Sequence, residues 1–168
     1  MSDQSLGGRL GFRRVVKLQV GGATKDQLLQ MLAHHDVSLN EYARVLFDDD
    51  DFTTSSDART VRLAIVSLPE IGLSEGGVYE SILERASHLG LEPCALEVAA
   101  HLRLHLLEQP HGPYLTVASL ELHPGTEQPN GFYLRRLDDG LWLRGYESGP
   151  ENTYAPDFTD FVFSYPEQ

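Results

Sequence analysis

The chain has 168 residues, 41% of them hydrophobic, and its 13 basic and 25 acidic side chains give a net charge of −12. This length and apolar content predict a single domain whose core is large enough to fold without disulfides or a structural metal. The acidity argues against a general nucleic-acid or anionic-membrane binder, because affinity for phosphates depends on clustered Lys and Arg.

The N-terminal segment, residues 1–11, is polar and rich in glycine, so we expect it to be flexible. It lacks the apolar stretch of a secretory signal, and no apolar run approaches the ~18 residues of a membrane-spanning helix. The one cysteine, Cys94, cannot form an internal disulfide. Together these features favour a reducing, cytoplasmic location with no membrane partner.

Hydrophobic periodicity in the first two-thirds of the chain predicts strands and amphipathic helices. Three positions mark helix ends. Thr24 and Gln27 have the spacing of a capping box, Asn40 suits the N-cap of a short helix, and Gly90 suits a left-handed C-cap. The predicted elements are strands at 13–20 and 60–68 and helices at 25–35, 40–47, 78–89 and 94–101.

After residue 101 the pattern changes to short alternating segments, which is typical of consecutive antiparallel strands. Helices early in the chain and strands late predict an α+β fold: a helical N-terminal layer packed on one mainly antiparallel sheet with a C-terminal β-meander. Residues 12–168 are expected to form this single domain. The predicted strands lie at 102–106, 114–122, 132–137, 141–146 and 160–165.

Three parts of the chain carry a family resemblance: 37–47 (VSLNEYARVLF), 89–94 (LGLEPC), and 130–137 with 141–146 (NGFYLRRL and LWLRGY). Together they resemble a family of uncharacterised small bacterial cytoplasmic proteins, some of which carry the label "helicase". The resemblance covers most of the chain and implies no established activity. The label lacks support, because a nucleotide-driven motor needs a GxxxxGK[ST] phosphate loop and the nearest segment, Gly21–Lys25, lacks its ending.

A zinc site is one hypothesis for the histidines. Glu97, His101 and His105 are spaced to share one face of a continuous helix, and His111 could supply a fourth ligand. The alternating leucines at 102–106 instead favour a strand, which would separate these side chains and leave ordinary surface imidazoles. The zinc hypothesis corresponds to a small metal-assisted enzyme that uses Glu97, His101 and His105.

Three further groups have a structural interpretation beside the chemical one. The histidines at 34–35 end a helix, where imidazoles stabilise the negative end of its dipole. Cys94 could be a nucleophile only if a nearby histidine lowered its pKa, and a buried inert thiol is favoured. The aspartates at 48–51 could bind a divalent cation, but they lack the EF-hand spacing, and a solvated loop is the default. No catalytic residue, metal or cofactor is assigned.

The most specific feature is a β-hairpin that turns at Leu137-Asp138-Asp139-Gly140-Leu141. A three-residue connection with a left-handed Gly140 would place Arg136 opposite Trp142. A two-residue turn at Asp139-Gly140 would instead place Arg135 opposite Arg144, and like charges in that position repel unless an anion lies between them.

In either register, Trp142, Arg144 and Tyr146 share one face with a second arginine, which is Arg136 in the longer turn. Guanidinium groups over aromatic rings suit a carboxylate, a phosphate or the acidic loop of a partner. The alternative is intramolecular: the arginines pair with Asp or Glu of the same chain and cover its aromatic rings with their side-chain stems. The leading hypothesis is therefore a non-enzymatic binding module that recognises a protein partner or small anionic ligand near 131–146 through Arg136, Trp142, Arg144 and Tyr146.

Overall fold

The computed structural model describes residues 12–166, so the expected flexibility of residues 1–11 lies outside the described residues. The fold is α+β, as predicted, with four α-helices, a seven-stranded sheet and a separate two-stranded ribbon. The elements are β1 (Arg14–Val20), α1 (Lys25–His34), β2 (Ser38–Leu39), α2 (Glu41–Asp48), β3 (Arg59–Val66), β4 (Gly77–Val78), α3 (Tyr79–His88), α4 (Leu96–His105), β5 (Tyr114–Val117), β6 (Gly131–Leu137), β7 (Gly140–Tyr146), β8 (Thr153–Tyr154) and β9 (Thr159–Ser164).

The large sheet has the strand order β1-β3-β9-β5-β6-β7-β2. Strands β5, β6 and β7 pair antiparallel in sequence order, which is the predicted meander. Strand β9 then returns to the middle of the sheet, antiparallel to β3 and parallel to β5. The two-residue strand β2 lies parallel to β7 at one edge, and β4 pairs with β8 in the small ribbon.

Both faces of the sheet bury apolar side chains, and β3 shows the alternation directly. Leu63 and Ile65 belong to a core shared with α1, α2 and α4, whereas Ala64 and Val66 face the opposite side, beneath α3. Because successive strand residues point to opposite faces, a strand covered on both sides reads as a nearly continuous apolar run. The second face is covered along β3 and β9, and side chains of β5–β7 on that face remain partly exposed.

The three helix-end signals are confirmed. The Thr24 side chain accepts a hydrogen bond from the Gln27 amide, and the Gln27 side chain accepts one from the Thr24 amide, which completes the capping box of α1. Asn40 caps α2 through the Ala43 amide. Gly90 has a φ of +82°, in the left-handed region that glycine adopts without strain. These features depend on neighbouring residues alone, which explains why sequence patterns find them.

The strand predicted at 102–106 is wrong, because α4 continues to His105. Leu102 is fully buried against the sheet, while Leu104 is only partly buried, so their spacing reflects a helix that is covered over most of its surface. Strand β5 is also shorter than predicted and ends at Val117. Within residues 12–166, no helix combines the length and the apolar character needed to cross a membrane.

Candidate functional site

The β6–β7 hairpin adopts a register that neither prediction gave. Leu137 pairs with Gly140, so the connection is Asp138-Asp139, and Arg135 lies opposite Trp142. The positive φ predicted for Gly140 is confirmed at +124°. A shift of one residue relative to the three-residue connection changes which β6 side chains share a face with those of β7.

The burial of apolar side chains explains this register. Phe132 and Leu134 of β6 now share a face with Leu143 of β7, and all three are fully buried against the helices. The three-residue connection would have placed Phe132 and Leu134 on the same face as Arg144. The two-residue alternative gave the correct faces but shifted the partners by two positions, so the predicted opposition of Arg135 and Arg144 is wrong as well.

The other face of the hairpin carries an aromatic–arginine surface, which we define as Tyr114, Tyr133, Arg135, Trp142 and Arg144. The Arg135 guanidinium carbon lies 4.1 Å from the centre of the Tyr114 ring. The Arg144 guanidinium carbon lies 5.0 Å from the Trp142 ring centre, and Arg144 Nε donates a hydrogen bond of 2.8 Å to the Tyr133 hydroxyl. Each guanidinium group is thus held over a ring, an arrangement that cation–π attraction stabilises.

Among the described residues, the arginines of the hairpin have no carboxylate partner. Within residues 12–166, Arg135, Arg136 and Arg144 form no ion pair, although the chain has a net charge of −12. Arg135 Nε is also buried without a hydrogen-bond partner. The intramolecular alternative is thus met in one part only: Arg135 and Arg144 cover aromatic rings of the same chain, but neither pairs with an Asp or Glu of residues 12–166.

A pocket of about 310 Å³ adjoins this surface, between the sheet and the segment 147–158. Tyr114 and Tyr133 belong to both, and their rings stack with centres 5.3 Å apart. Phe158 meets Tyr114 edge-to-face at 5.1 Å and is 51% exposed at the rim. We call this the aromatic pocket; its lining consists of Tyr114, Thr116, Tyr133, Tyr146, Glu147, Asn152, Thr153, Tyr154 and Phe158.

The structure separates two of the four predicted site residues from the others. Arg136 lies on the opposite face of β6 from Trp142 and Arg144, because it pairs with Leu141, and its Nη1 donates to the Gln109 carbonyl at 3.4 Å. Tyr146 lies on the expected face but is only 8% exposed. Trp142 and Arg144 are together on the half-exposed surface, with Arg135 in the place predicted for Arg136.

Tyr146 belongs to a buried tyrosine pair. Its hydroxyl lies 3.0 Å from the Tyr79 hydroxyl and donates to the Val117 carbonyl at 3.2 Å. Burial raises the pKa of Tyr79 to about 12 and the pKa of Tyr146 well above its ordinary value. Both phenols are therefore neutral hydrogen-bonding groups of the core, which argues for a structural role.

A buried arginine holds the hairpin from beneath. Arg103 of α4 is fully buried, and its guanidinium donates to Gln109 Oε1 at 2.7 Å, to the Trp142 carbonyl at 3.1 Å and to the Leu106 carbonyl at 2.6 Å. Burial, with the nearby charge of Arg136, lowers the pKa of Arg103 to about 10. Arg103 stays protonated at neutral pH and fixes the backbone that carries Trp142.

The helix required by the zinc hypothesis exists, but its side chains have other partners. Glu97 is buried, accepts the Ser55 amide at 3.1 Å and pairs with Arg59 Nη1 at 3.3 Å. His101 Nε2 accepts the Gly21 amide at 3.2 Å. Burial lowers the pKa of His101, and the Arg59 charge adds to this effect while Glu97 opposes it.

His105, the third residue of that hypothesis, is exposed at the end of α4. His111 lies 3.5 Å from the exposed Asp138 carboxylate. In the part of the chain that the structure describes, a metal-compatible cluster forms elsewhere, from Asp49, Asp51 and His123. The geometry thus does not assemble Glu97, His101 and His105 around one ion.

The cluster of Asp49, Asp51 and His123 partly revises the prediction of a solvated loop at 48–51. His123 Nε2 lies 2.7 Å from Asp49 Oδ2 and 3.6 Å from Asp51 Oδ2. The donor atoms lie within 4.8 Å of one another, a spacing that could hold a divalent cation. The Asp51 amide and His123 lower the pKa of Asp49, so an ordinary imidazole–carboxylate pair also explains the arrangement.

Cys94 is the buried thiol that its residue type favoured. Burial raises the pKa of this thiol to about 12, and Sγ lies 3.9 Å from the Val162 carbonyl. A thiol with such a pKa is not a nucleophile at neutral pH, because the thiolate is the reactive form.

Two residues of the site, Tyr114 and Phe158, were not predicted from the sequence to belong to it. Tyr114 was placed in a strand but not in the site, and its alternation with buried Leu115 is the signal that assigns it to this face. Phe158 had no local signal, because only the return of β9 to the sheet centre brings it to Tyr114. Comparison with models of known protein families, with curated proteins and with solved structures gives no match to this chain.

Proposed function

We propose that this chain is a non-enzymatic binding module whose aromatic–arginine surface receives an anionic group, carried by a small molecule or by a partner protein. One observation carries the proposal: Arg135 and Arg144 lie partly exposed on one sheet face and have no carboxylate partner among residues 12–166, in a chain whose net charge is −12. Acidic side chains are abundant, yet none of those in residues 12–166 neutralises these two.

The rings that hold the arginines support binding further. A free arginine side chain loses rotamer entropy when it binds, about 0.5–1.5 kcal/mol for an immobilised side chain of this kind. Arg144 is already restrained by Trp142 and by the Tyr133 hydroxyl, and Arg135 by Tyr114. Much of this loss of rotamer entropy therefore occurs during folding and does not weaken binding. Planar guanidinium groups also match the geometry of carboxylate and phosphate oxygens.

Two earlier expectations remain proposals beside this one. The chain is proposed to work in the cytoplasm, which the single buried thiol of Cys94 supports, and to belong with the small bacterial proteins that it resembles. The metal-assisted enzyme is not proposed as a second function, because Glu97 and His101 are engaged with Arg59 and Gly21.

The direct test observes the arginines themselves. In the 15N-labelled protein, the Nε–Hε signals of Arg135 and Arg144 should shift when inorganic phosphate or a hexaglutamate peptide is added, because an anion that accepts hydrogen bonds from the Nη groups changes the environment of the whole guanidinium. Arg44, an exposed arginine on α2, is the internal control and should not shift. Shifts confined to Arg44, or equal at all three residues, would contradict the proposal.

A further inference from the structure

We infer that the anionic group is attached to an aromatic ring, so that the aromatic pocket holds the ring of an aryl phosphate or aryl carboxylate while Arg135 and Arg144 contact its anionic oxygens. This inference rests on the proposed function and specifies its ligand. It follows from how the pocket and the arginines are joined, from the chemistry of the pocket walls, and from the charge of its surroundings.

Two tyrosines that line the pocket also contact the two arginines. Tyr133 lines the pocket, and its hydroxyl accepts the hydrogen bond from Arg144 Nε at 2.8 Å. Tyr114 also lines the pocket, and its ring lies beneath Arg135 with 4.1 Å between ring centre and guanidinium carbon. Neither arginine lines the pocket itself, so a bound ring would occupy the pocket while its anionic substituent extends past Tyr114 and Tyr133 to the guanidinium groups.

The aromatic lining of the pocket suits a flat apolar ligand group. Its volume of about 310 Å³ is at the lower end of the range of about 300–1,000 Å³ for small-molecule sites. Tyr114, Tyr133, Tyr154 and Phe158 supply rings, and aromatic rings prefer offset-stacked or edge-to-face contact with another ring.

Three polar side chains of the pocket, those of Thr116, Tyr146 and Tyr154, have hydrogen-bond partners outside its lining. Thr116 Oγ1 lies 2.8 Å from Thr159 Oγ1, and the Tyr154 hydroxyl donates to Ser148 Oγ at 3.0 Å. The Tyr146 hydroxyl is bonded to Val117. Since these groups have partners, a ligand does not need polar atoms deep in the pocket, and its charged end belongs at the mouth with the arginines.

A pocket of aromatic rings could also hold an organic cation, as aromatic cages do. Glu147 at the rim would favour that ligand. However, Arg135 and Arg144 already lie over the rings of Tyr114 and Tyr133, so an added cation would meet two like charges at close range. The arrangement favours an anion, and phenyltrimethylammonium serves as the opposing probe.

The test compares matched probes by calorimetry on the full chain. Phenyl phosphate should bind about tenfold more tightly than inorganic phosphate, and benzoate should bind more tightly than acetate by a similar factor, because only the aryl anions place a ring in the pocket. A tenfold ratio corresponds to about 1.4 kcal/mol of binding free energy. The ratio between phenyl phosphate and benzoate distinguishes a phosphate source from a carboxylate source. Phenyltrimethylammonium should bind more weakly than either aryl anion.

Variants separate the pocket from the arginines. Phe158→Ala should reduce the preference for phenyl phosphate over inorganic phosphate and leave phosphate binding unchanged. Leu120→Ala, which truncates another exposed apolar side chain, 72% exposed and outside the pocket, should change neither. If Phe158→Ala does not fold, Phe158→Leu, which keeps apolar volume but removes the ring, is judged by the same criterion.

The outcomes also separate this inference from the proposed function. Equal affinity for phenyl phosphate and inorganic phosphate, or tighter binding of phenyltrimethylammonium, would overturn the aromatic ligand and leave anion binding in place. Equal loss of phosphate and phenyl phosphate binding in Phe158→Ala would also overturn it. No binding of any anion by the wild-type protein would overturn both.

Discussion

Replacing Asn40 with alanine removes three hydrogen bonds, two of them at the outer edge of β7. Asn40 Oδ1 accepts from the Ala43 amide at 2.9 Å and from the Gly145 amide at 2.8 Å, and Nδ2 donates to the Gly145 carbonyl at 3.1 Å. The side chain therefore caps α2 and also takes the place of a neighbouring strand beside Gly145, between Arg144 and Tyr146.

The expected loss of stability follows from these contacts. Loss of a helix N-cap costs about 1 kcal/mol. Each hydrogen bond to the buried Gly145 backbone contributes about 1 kcal/mol. This value is a lower bound, because the Gly145 amide and carbonyl would be left buried without a partner. Asn40→Ala should therefore reduce the free energy of unfolding by about 3 kcal/mol, which lowers the urea midpoint by about 1.5 M for an m-value of about 2 kcal/mol/M.

Two variants isolate the edge contacts. Thr24→Ala removes the N-cap of α1, which has no link to the sheet edge, and should cost about 1 kcal/mol. Asn40→Ser keeps a capping oxygen but is too short to pair with Gly145, so it should fall between the two. Urea denaturation with unchanged m-values checks all three. Equal losses in Asn40→Ala and Thr24→Ala would refute the strand-substituting role of Asn40.

Four further predictions concern single residues of the fold. Burial lowers the pKa of His101, whose Nε2 accepts the Gly21 amide, so the unfolded imidazole, with a pKa of about 6.5, takes up a proton first as the pH falls. The stability that the neutral His101 contributes is therefore complete above that pH and is lost below it. The His101→Gln variant should show a smaller decrease in urea midpoint between pH 7.5 and 5.5 than the wild type. Gly145→Ala should destabilise by about 1–3 kcal/mol, because a Cβ there would lie only 2.6 Å from the α2 backbone. Gly90→Ala, which has open space but a positive φ, should cost about 1 kcal/mol in the same denaturation assay. Arg103→Ala should cost more than about 3 kcal/mol by calorimetry, because it leaves a cavity and removes three buried hydrogen bonds; a loss below about 1 kcal/mol would show that Arg103 does not anchor the hairpin.

The helix caps and the location of the hairpin could be predicted because their causes are local. Thr24, Asn40 and Gly90 act on amides and carbonyls within a few residues. The Asp138-Asp139-Gly140 segment likewise marks a turn through its own backbone preferences.

The register of the hairpin could not be read from the turn, because distant groups decide it. Phe132 and Leu143 must face the helices, and Asn40, far away in the chain, fixes the position of Gly145. The predicted site therefore named Arg136, whereas Arg135 occupies the surface. The burial of Arg103 could not be predicted from its residue type either, because a fully buried cation on α4 depends on carbonyl groups that the fold brings to it.

The aromatic pocket is the clearest case of a site built by tertiary structure. Its walls come from β5, β6 and the segment 147–158, which are brought together when β9 inserts between β3 and β5. The histidine–aspartate cluster has the same origin, because Asp49 and His123 lie 74 residues apart in sequence. The spacing of Glu97, His101 and His105 along one helix suggested a zinc site, but in the fold Glu97 and His101 are bonded to other residues.

The measurement that tests the central claim most directly is the affinity for inorganic phosphate of the Arg135→Ala, Arg144→Ala double variant, beside the wild type and Arg44→Ala. Arg44 is an exposed arginine on α2 that is not part of the aromatic–arginine surface, so its removal is the control for a change of net charge. Removal of both surface arginines should weaken binding at least tenfold, since each charge-assisted hydrogen bond contributes about 1.5–3 kcal/mol. Arg44→Ala should bind as the wild type does. Undiminished binding by a folded double variant would contradict the account.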